Sequence, residues 1–305
     1  MPGMSPRTWA LFLAVSLLWG IPYLLIKVAV DEVSPAVVVF VRTALAAAVL
    51  LPIAWRTGAL GGLGRRRRDV VVLALSAVTI PFTLITVGEL WVSSSLTAIL
   101  IAVEPALVAL LALRLDASER VSGPRVLGLG LGGLGVVALL GLDLAGGGLA
   151  LLGAAMILAA TCCYAYASMQ VRLRFAGARP LGLAAVTLTI ATVLLAPAAA
   201  ATAPTAVPSA EALWSLALLG LACTAAAFVC FFALVAAVGA GRATVITYVA
   251  PAVAVVLGVA LLDERLGPWA VAGLLLIVAG SWLATSGGSL GRRPDRATGA
   301  RASEG

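Results

Sequence analysis

Four ionisable side chains interrupt the apolar runs of this chain: Lys27, Arg42, Glu89 and Glu104. A charge inside a lipid-solvated segment is costly, so each is a candidate functional group, able to attract an anion, pair with an opposite charge or carry a proton. Depth separates them. Lys27 and Glu89 fall close to the ends of their runs, where a lysine can reach its ammonium out to water. Arg42 lies roughly two turns into the second run, and Glu104 near the middle of the fourth. The expectation is that Arg42 and Glu104 line a central cavity, where Arg42 attracts an anionic group and Glu104 either pairs with it or carries a coupling proton. The alternative is a structural ion pair that locks two helices together. Trp19, Tyr23, Tyr164, Tyr166 and Tyr248 lie away from the run ends, and together they suit stacking or cation–π contact with an amphipathic organic molecule; packing between helices is the other reading. Pro105 and Pro251 each remove one backbone hydrogen bond, and the freed carbonyl must be satisfied by protein, water or ligand, which points to gating or site shaping.

Other chemistries are closed to the chain. It has no histidine, which excludes Ser-His hydrolysis and His-ligated zinc or haem. Its one lysine, Lys27, cannot complete a G-x-x-x-x-G-K-[ST] nucleotide loop. Cys162, Cys163, Cys223 and Cys230 have no C-x-x-C spacing and read as small buried thiols. Gly128-x-Gly130-x-x-Gly133 lies inside an apolar run with no preceding strand, so Gly128 and Gly132 read as small-xxx-small helix packing rather than a dinucleotide site. Gly287-x-Ser289-x-Gly291 resembles a nucleophile elbow, but it sits in a basic tail of a chain without histidine. No cofactor and no metal site is expected.

The elements that position these residues are membrane helices. Strongly apolar residues make up 62% of the 305 and charged residues 11%, a balance that no soluble core of this size can absorb. A spanning helix needs about 20 apolar residues. Ten such segments are predicted, at 8–28, 36–55, 70–88, 93–113, 125–142, 149–171, 181–201, 211–237, 243–262 and 269–286. The first, with Arg7 ahead of it, is too long for a cleaved signal peptide and has no clear A-x-A site, so it is read as a retained helix. Of the 20 cations, 17 fall at the termini or in the even-numbered connections, including the Arg65 to Arg68 run. That bias places both termini in the cytoplasm. Topology and anionic lipid account for the net charge of +7, and no nucleic-acid partner is expected. Trp9, Trp55, Trp91, Trp214, Trp269 and Trp282 fall at or near span ends, as an aromatic belt requires.

A shift of 145 residues lays Trp19 on Tyr164, Lys27 on Arg172, Pro35 on Pro180 and Glu119-Arg120 on Glu264-Arg265; a slip of one adds Pro105 on Pro251 and Pro124 on Pro268. This is a duplication with five helices per half. Because five is odd, the halves must cross the membrane in opposite senses, and Arg265 is the outward copy of Arg120. Inverted repeats create two states of similar energy, open to either side of a midplane site, which supports alternating access.

Trp19-Gly20 with Lys27, Pro35 followed by Phe40-x-Arg42, Glu104-Pro105, Tyr248-Val249-Ala250-Pro251 and Glu264-Arg265 resemble the EamA family of the drug/metabolite transporter superfamily. Ile21-Pro22 departs from the small polar residues many members carry there, and Glu89 is at most a subgroup feature. The resemblance implies an all-α integral membrane protein with ten transmembrane helices in two inverted five-helix repeats around a central cavity. The halves are expected at 8–142 and 149–286, followed by a disordered basic cytoplasmic tail at 287–305. It implies a non-enzymatic secondary transporter exporting small organic metabolites, amino acids or drugs, with protons as a candidate coupling ion, while nineteen arginines to one lysine with abundant Ala, Gly, Val and Leu point to a GC-rich bacterial genome and so to a bacterial inner membrane. An importer or exchanger of the same fold is the first alternative. A non-transporting membrane enzyme or assembly subunit is the second, though isolated acids and scattered cysteines serve catalysis poorly.

Overall fold

The computed structural model describes residues 5–115, 123–142, 147–238 and 246–286. The string around Glu119-Arg120, Arg242, Gly287-x-Ser289-x-Gly291 and the 287–305 tail lie outside the described residues. The described residues are helical, with no strand among them. They form α1 (Pro6–Val30), α2 (Pro35–Arg56), α3 (Leu63–Gly88), α4 (Ser94–Ala112), α5 (Gly123–Leu142), α6 (Gly147–Arg174), α7 (Pro180–Ala201), α8 (Ala210–Val238), α9 (Ile246–Leu261) and α10 (Pro268–Ser286). Among the described residues, α1 to α4 and α6 to α8 are the seven helices long and apolar enough to cross a membrane; α5, α9 and α10 hold shorter apolar stretches.

Local signals start these helices. Ser5, Ser34, Ser93 and Ser209 each cap a helix by accepting the amide of the residue three ahead, at 3.3, 3.4, 3.2 and 3.2 Å. Pro6, Pro35 and Pro180 take first-turn positions, where a missing N–H costs nothing. α1 breaks at Ile21, ahead of Pro22, and α4 breaks at Ala102–Val103, ahead of Glu104-Pro105. Past that second break the Ala106 amide turns to the Val103 carbonyl at 3.0 Å. The Ala102 carbonyl so released accepts from the Ser281 hydroxyl of α10 at 3.1 Å. The break in α4 therefore precedes Pro105, whereas Pro251 lies within the continuous helix α9.

Packing follows the duplication. α2 packs on α7, α4 on α9 and α5 on α10, while α3 against α6 is answered by α8 against α1. A wide-turn segment at Leu75–Thr79 in α3 has its counterpart at Leu218–Ala226 in α8. In each, a threonine 145 residues from its mate bonds the carbonyl five residues back: Thr79 to Ala74 at 3.2 Å and Thr224 to Leu219 at 2.7 Å. Gly128 and Gly132 do serve helix packing. A Cβ on Gly280 would lie 2.6 Å from the Gly128 carbonyl oxygen and 2.9 Å from the Gly132 Cα. The thiol expectation needs correction: only Cys223 is buried, Cys162 is exposed, and Cys163 and Cys230 lie between. An apolar run in a membrane protein has an apolar outer surface, so a thiol in it need not face the core.

Candidate substrate site and end latches

Arg42 is buried and held from two sides. Its Nε donates to the Thr224 hydroxyl at 2.9 Å, and its guanidinium carbon stands 4.0 Å over the Phe82 ring, so α2, α8 and α3 meet there. The wide turn in α8 turns Thr224 inward while its own hydroxyl proton stays on the Leu219 carbonyl. Tyr164 of α6, Cys223 of α8, Tyr23 of α1 and Glu89 lie within electrostatic reach of the guanidinium. Tyr23 and Tyr164 also lie within electrostatic reach of each other and of Glu104. Glu104 is half-buried at the start of the second half of α4 and accepts from the Ser168 hydroxyl of α6 at 3.2 Å. Tyr23, Arg42, Glu104 and Tyr164 thus form one interior cluster drawn from four helices. Both tyrosines lie within electrostatic reach of Arg42 and of Glu104, and Arg42 and Glu104 make no direct ion pair.

The remaining candidates fall elsewhere. Trp19 packs on Phe231 at 4.8 Å and on Phe228 at 6.1 Å between ring centroids, and Phe228 with Tyr164 borders the same core cluster. Tyr166, two residues past Tyr164, is 42% exposed, because two helical steps turn a side chain to the far face. Tyr248 is half-buried and Pro251 buried on α9, which packs against α1 and α4.

Thr224, Phe82 and Ser168 were not foreseen. Thr224 could have been found as the repeat mate of Thr79; Phe82 falls on Ala227 under the same shift, so the repeat carries no sign of it.

Both ends of the bundle are tied by charged groups. At one end the Glu264 carboxylate accepts from the Ser94 amide at 2.7 Å, the Ser95 amide at 3.0 Å and the Ser95 hydroxyl at 2.5 Å, capping the start of α4. Asp263, with φ 51°, makes the left-handed turn that delivers it. At the same end Glu32 accepts from the Ser209 amide at 2.7 Å and hydroxyl at 2.5 Å, capping α8. The Ser209 hydroxyl, then its amide, hold Glu32 below the usual carboxylate range. Lys27 donates to the carbonyls of Glu89 at 2.6 Å and Val92 at 3.4 Å. A cavity of about 350 Å³ opens there, lined by Lys27, Trp91, Val92, Ser93, Leu262 and Glu264 among others. At the other end Arg174 pairs with Asp69 at 2.5 Å, Arg66 donates to the Arg174 carbonyl, and Arg179 donates to the Thr57 carbonyl at 2.5 Å.

Duplicated halves, apolar spanning helices and an interior cluster of charge and aromatic groups define a polytopic membrane protein built to handle a small molecule. The model of the EamA-like transporter family matches residues 7–141 and again 151–286. The chain belongs to the EamA-like transporter family, with two EamA repeats. It is similar to Protein PagO of Salmonella typhimurium (strain LT2), 35% identical over 120 residues, a match that spans 39% of each chain. A solved crystal structure shares the fold at a TM-score of 0.67, with 19% identity over 94% of this chain and 99% of that one.

Proposed function

We propose that this protein is a secondary exporter of small amphipathic organic molecules with an anionic group, working by alternating access in a bacterial inner membrane. Its architecture in this reading is ten spans in two inverted five-helix repeats, 8–142 and 149–286, with both termini cytoplasmic and the Glu264 end external. The observation that carries it is the cluster of Tyr23, Arg42, Glu104 and Tyr164, contributed by helices of both repeats. Arg42 holds the anionic group, the aromatic rings hold the organic body, and Glu104 carries a coupling proton. Arg42 suits this because, among the described residues, its Nε donates to Thr224 and its face lies on Phe82, which leaves its two terminal nitrogens for a ligand. Trp19 with its phenylalanines forms one wall, and Tyr248 with Pro251 on α9 another. Pro105 and Pro251 mark the points where α4 and α9 bend during the exchange of states.

The test compares extracellular metabolites from cells making the wild type with those from cells making an Arg42→Ala, Glu104→Gln double variant at equal membrane abundance. A compound released only by the wild type, and moved by the purified protein in liposomes, is the expected result. A compound depleted from the medium by the wild type instead would establish uptake, and no difference with both proteins inserted would refute export of host metabolites.

A further inference from the structure

Glu89 occupies the turn that ends α3, and its side chain is fully buried at 0% exposure. Among the described residues neither carboxyl oxygen has a hydrogen-bond partner. A bare carboxylate taken out of water is far costlier than the neutral acid, unless donors or an opposite charge reach it. The groups that face it are Lys27 and Tyr23 from α1, Arg42 from α2, the Thr97 hydroxyl from α4 and Glu264 from the segment before α10. Thr97 spends its proton on the Ser93 carbonyl at 3.0 Å. α6 reaches this turn through a glycine: a Cβ on Gly88 would stand 2.9 Å from the Gly153 carbonyl oxygen. Lys27 is the dominant cation, and it gives its N–H groups to the backbone oxygens of Glu89 and Val92, not to the carboxyl. One ammonium thus serves the end of α3 while the carboxyl of the same turn goes without.

We propose that Glu89 is a proton-binding group which, with Lys27, gates the external end of the bundle. With its proton, Glu89 is neutral and buried, and Lys27 fastens α1 to the end of α3. When the carboxyl O–H breaks and the proton passes to water in the adjoining cavity, the carboxylate draws the Lys27 ammonium off the Glu89 and Val92 carbonyls. The fastening is released and this end opens. The inference rests on the alternating-access reading with the Glu264 end outside, and it adds to the Glu104 proton a second, gate-controlling one. The closed form holds one proton more than the open form, so rising pH favours opening, by at most about tenfold per pH unit.

The gate can be read without any substrate. In the full chain with the four cysteines replaced by alanine, Leu262→Cys in the cavity wall is labelled on intact vesicles with a membrane-impermeant maleimide from pH 5 to pH 8. Rates are divided by those of Val207→Cys, at an 88% exposed position before α8, which removes the pH dependence of the thiol itself. The expected normalised rate rises about tenfold or more with pH. It stays low and flat in Glu89→Gln, stays high and flat in Lys27→Met, and rises with a displaced midpoint in Glu89→Asp. A rise that survives in Glu89→Gln, or a flat wild type, would overturn the proposal. If Glu89→Gln does not fold, Lys27→Met decides: a rise that persists there overturns it equally. A Glu89-dependent transition in a protein that moves no solute in liposomes would instead overturn the transport reading and leave the gate standing.

Discussion

Alanine at Gly128 should weaken the bundle, whereas alanine at Gly130, two residues on, should strengthen it. A Cβ on Gly128 would stand 2.6 Å from the Gly280 carbonyl oxygen and closer still to the Ala284 amide nitrogen. One on Gly135 would stand 2.8 Å from Ile277 Cγ1 and 2.9 Å from the Gly273 carbonyl oxygen. Three of these four obstacles are α10 backbone, which cannot rotate away. Ordinary contacts begin at about 3.5 Å, so α10 must withdraw by roughly half an ångström to an ångström. The seam between α5 and α10 is continuous, and withdrawal at one glycine loosens the other. Overpacking of this kind costs about 1–3 kcal/mol, set against a gain of about 1 kcal/mol from replacing a helical glycine with alanine. Cβ atoms on Gly130 and Gly133 meet nothing within 4 Å, so those positions keep the gain alone. The propensity gain cancels between the two pairs, leaving a gap of about 1–3 kcal/mol with Gly128→Ala and Gly135→Ala below Gly130→Ala and Gly133→Ala. Unfolding in mixed micelles by added SDS, followed by circular dichroism, measures it. Four variants agreeing within about 0.5 kcal/mol would refute the close seam between α5 and α10.

Four further outcomes follow from the site and the latches. Arg42→Lys keeps the charge but loses the Nε donor to Thr224 and the flat contact on Phe82, so substrate flux should fall about tenfold or more, while Thr224→Val should cost about 1.5–3 kcal/mol of stability, read in the same SDS titration. Equal flux for Arg42→Lys and wild type would remove the geometric role. Glu104→Gln should abolish the response of flux in liposomes to an imposed pH gradient at fixed external pH, and an unchanged response would remove Glu104 from coupling. The Glu32 latch, whose carboxyl is held low by Ser209, should be present above the ordinary glutamate value of about 4.3 and be lost as pH falls through the lowered one. Hydrogen exchange of the Ser209 amide, corrected for its intrinsic rate, should therefore lose protection only in strong acid, and Glu32→Gln should remove that acid step.

Periodicity and composition made the helical class legible, and a single shift of 145 residues made the duplication legible, because both are written in backbone requirements that repeat. The same shift pairs Pro52 with Pro197, each inside a continuous helix, Thr79 with Thr224, each at a wide turn, and Gly128 with Gly273 and Gly135 with Gly280, all at the close seam. The chemistry does not follow that rule. Arg42 falls on Thr187, Glu89 on Leu234 and, with the slip of one, Glu104 on Ala250. The two halves therefore agree in how they pack and differ in charge at these three positions. Intramembrane cost pointed to Arg42 and Glu104, but their partners Thr224, Phe82 and Ser168 come from helices distant in sequence and carry no charge to mark them. Glu89 was underrated for a related reason: a position near a run end looks solvated, yet the Gly88 and Gly153 contact brings α6 close enough to seal it. A repeat of packing makes the two halves interchangeable, so any preference between them must come from residues without mates. Those residues are Arg42, Glu89 and Glu104, and the first repeat holds all three, whereas Lys27, the cation that Glu89 faces, keeps a charged mate in Arg172.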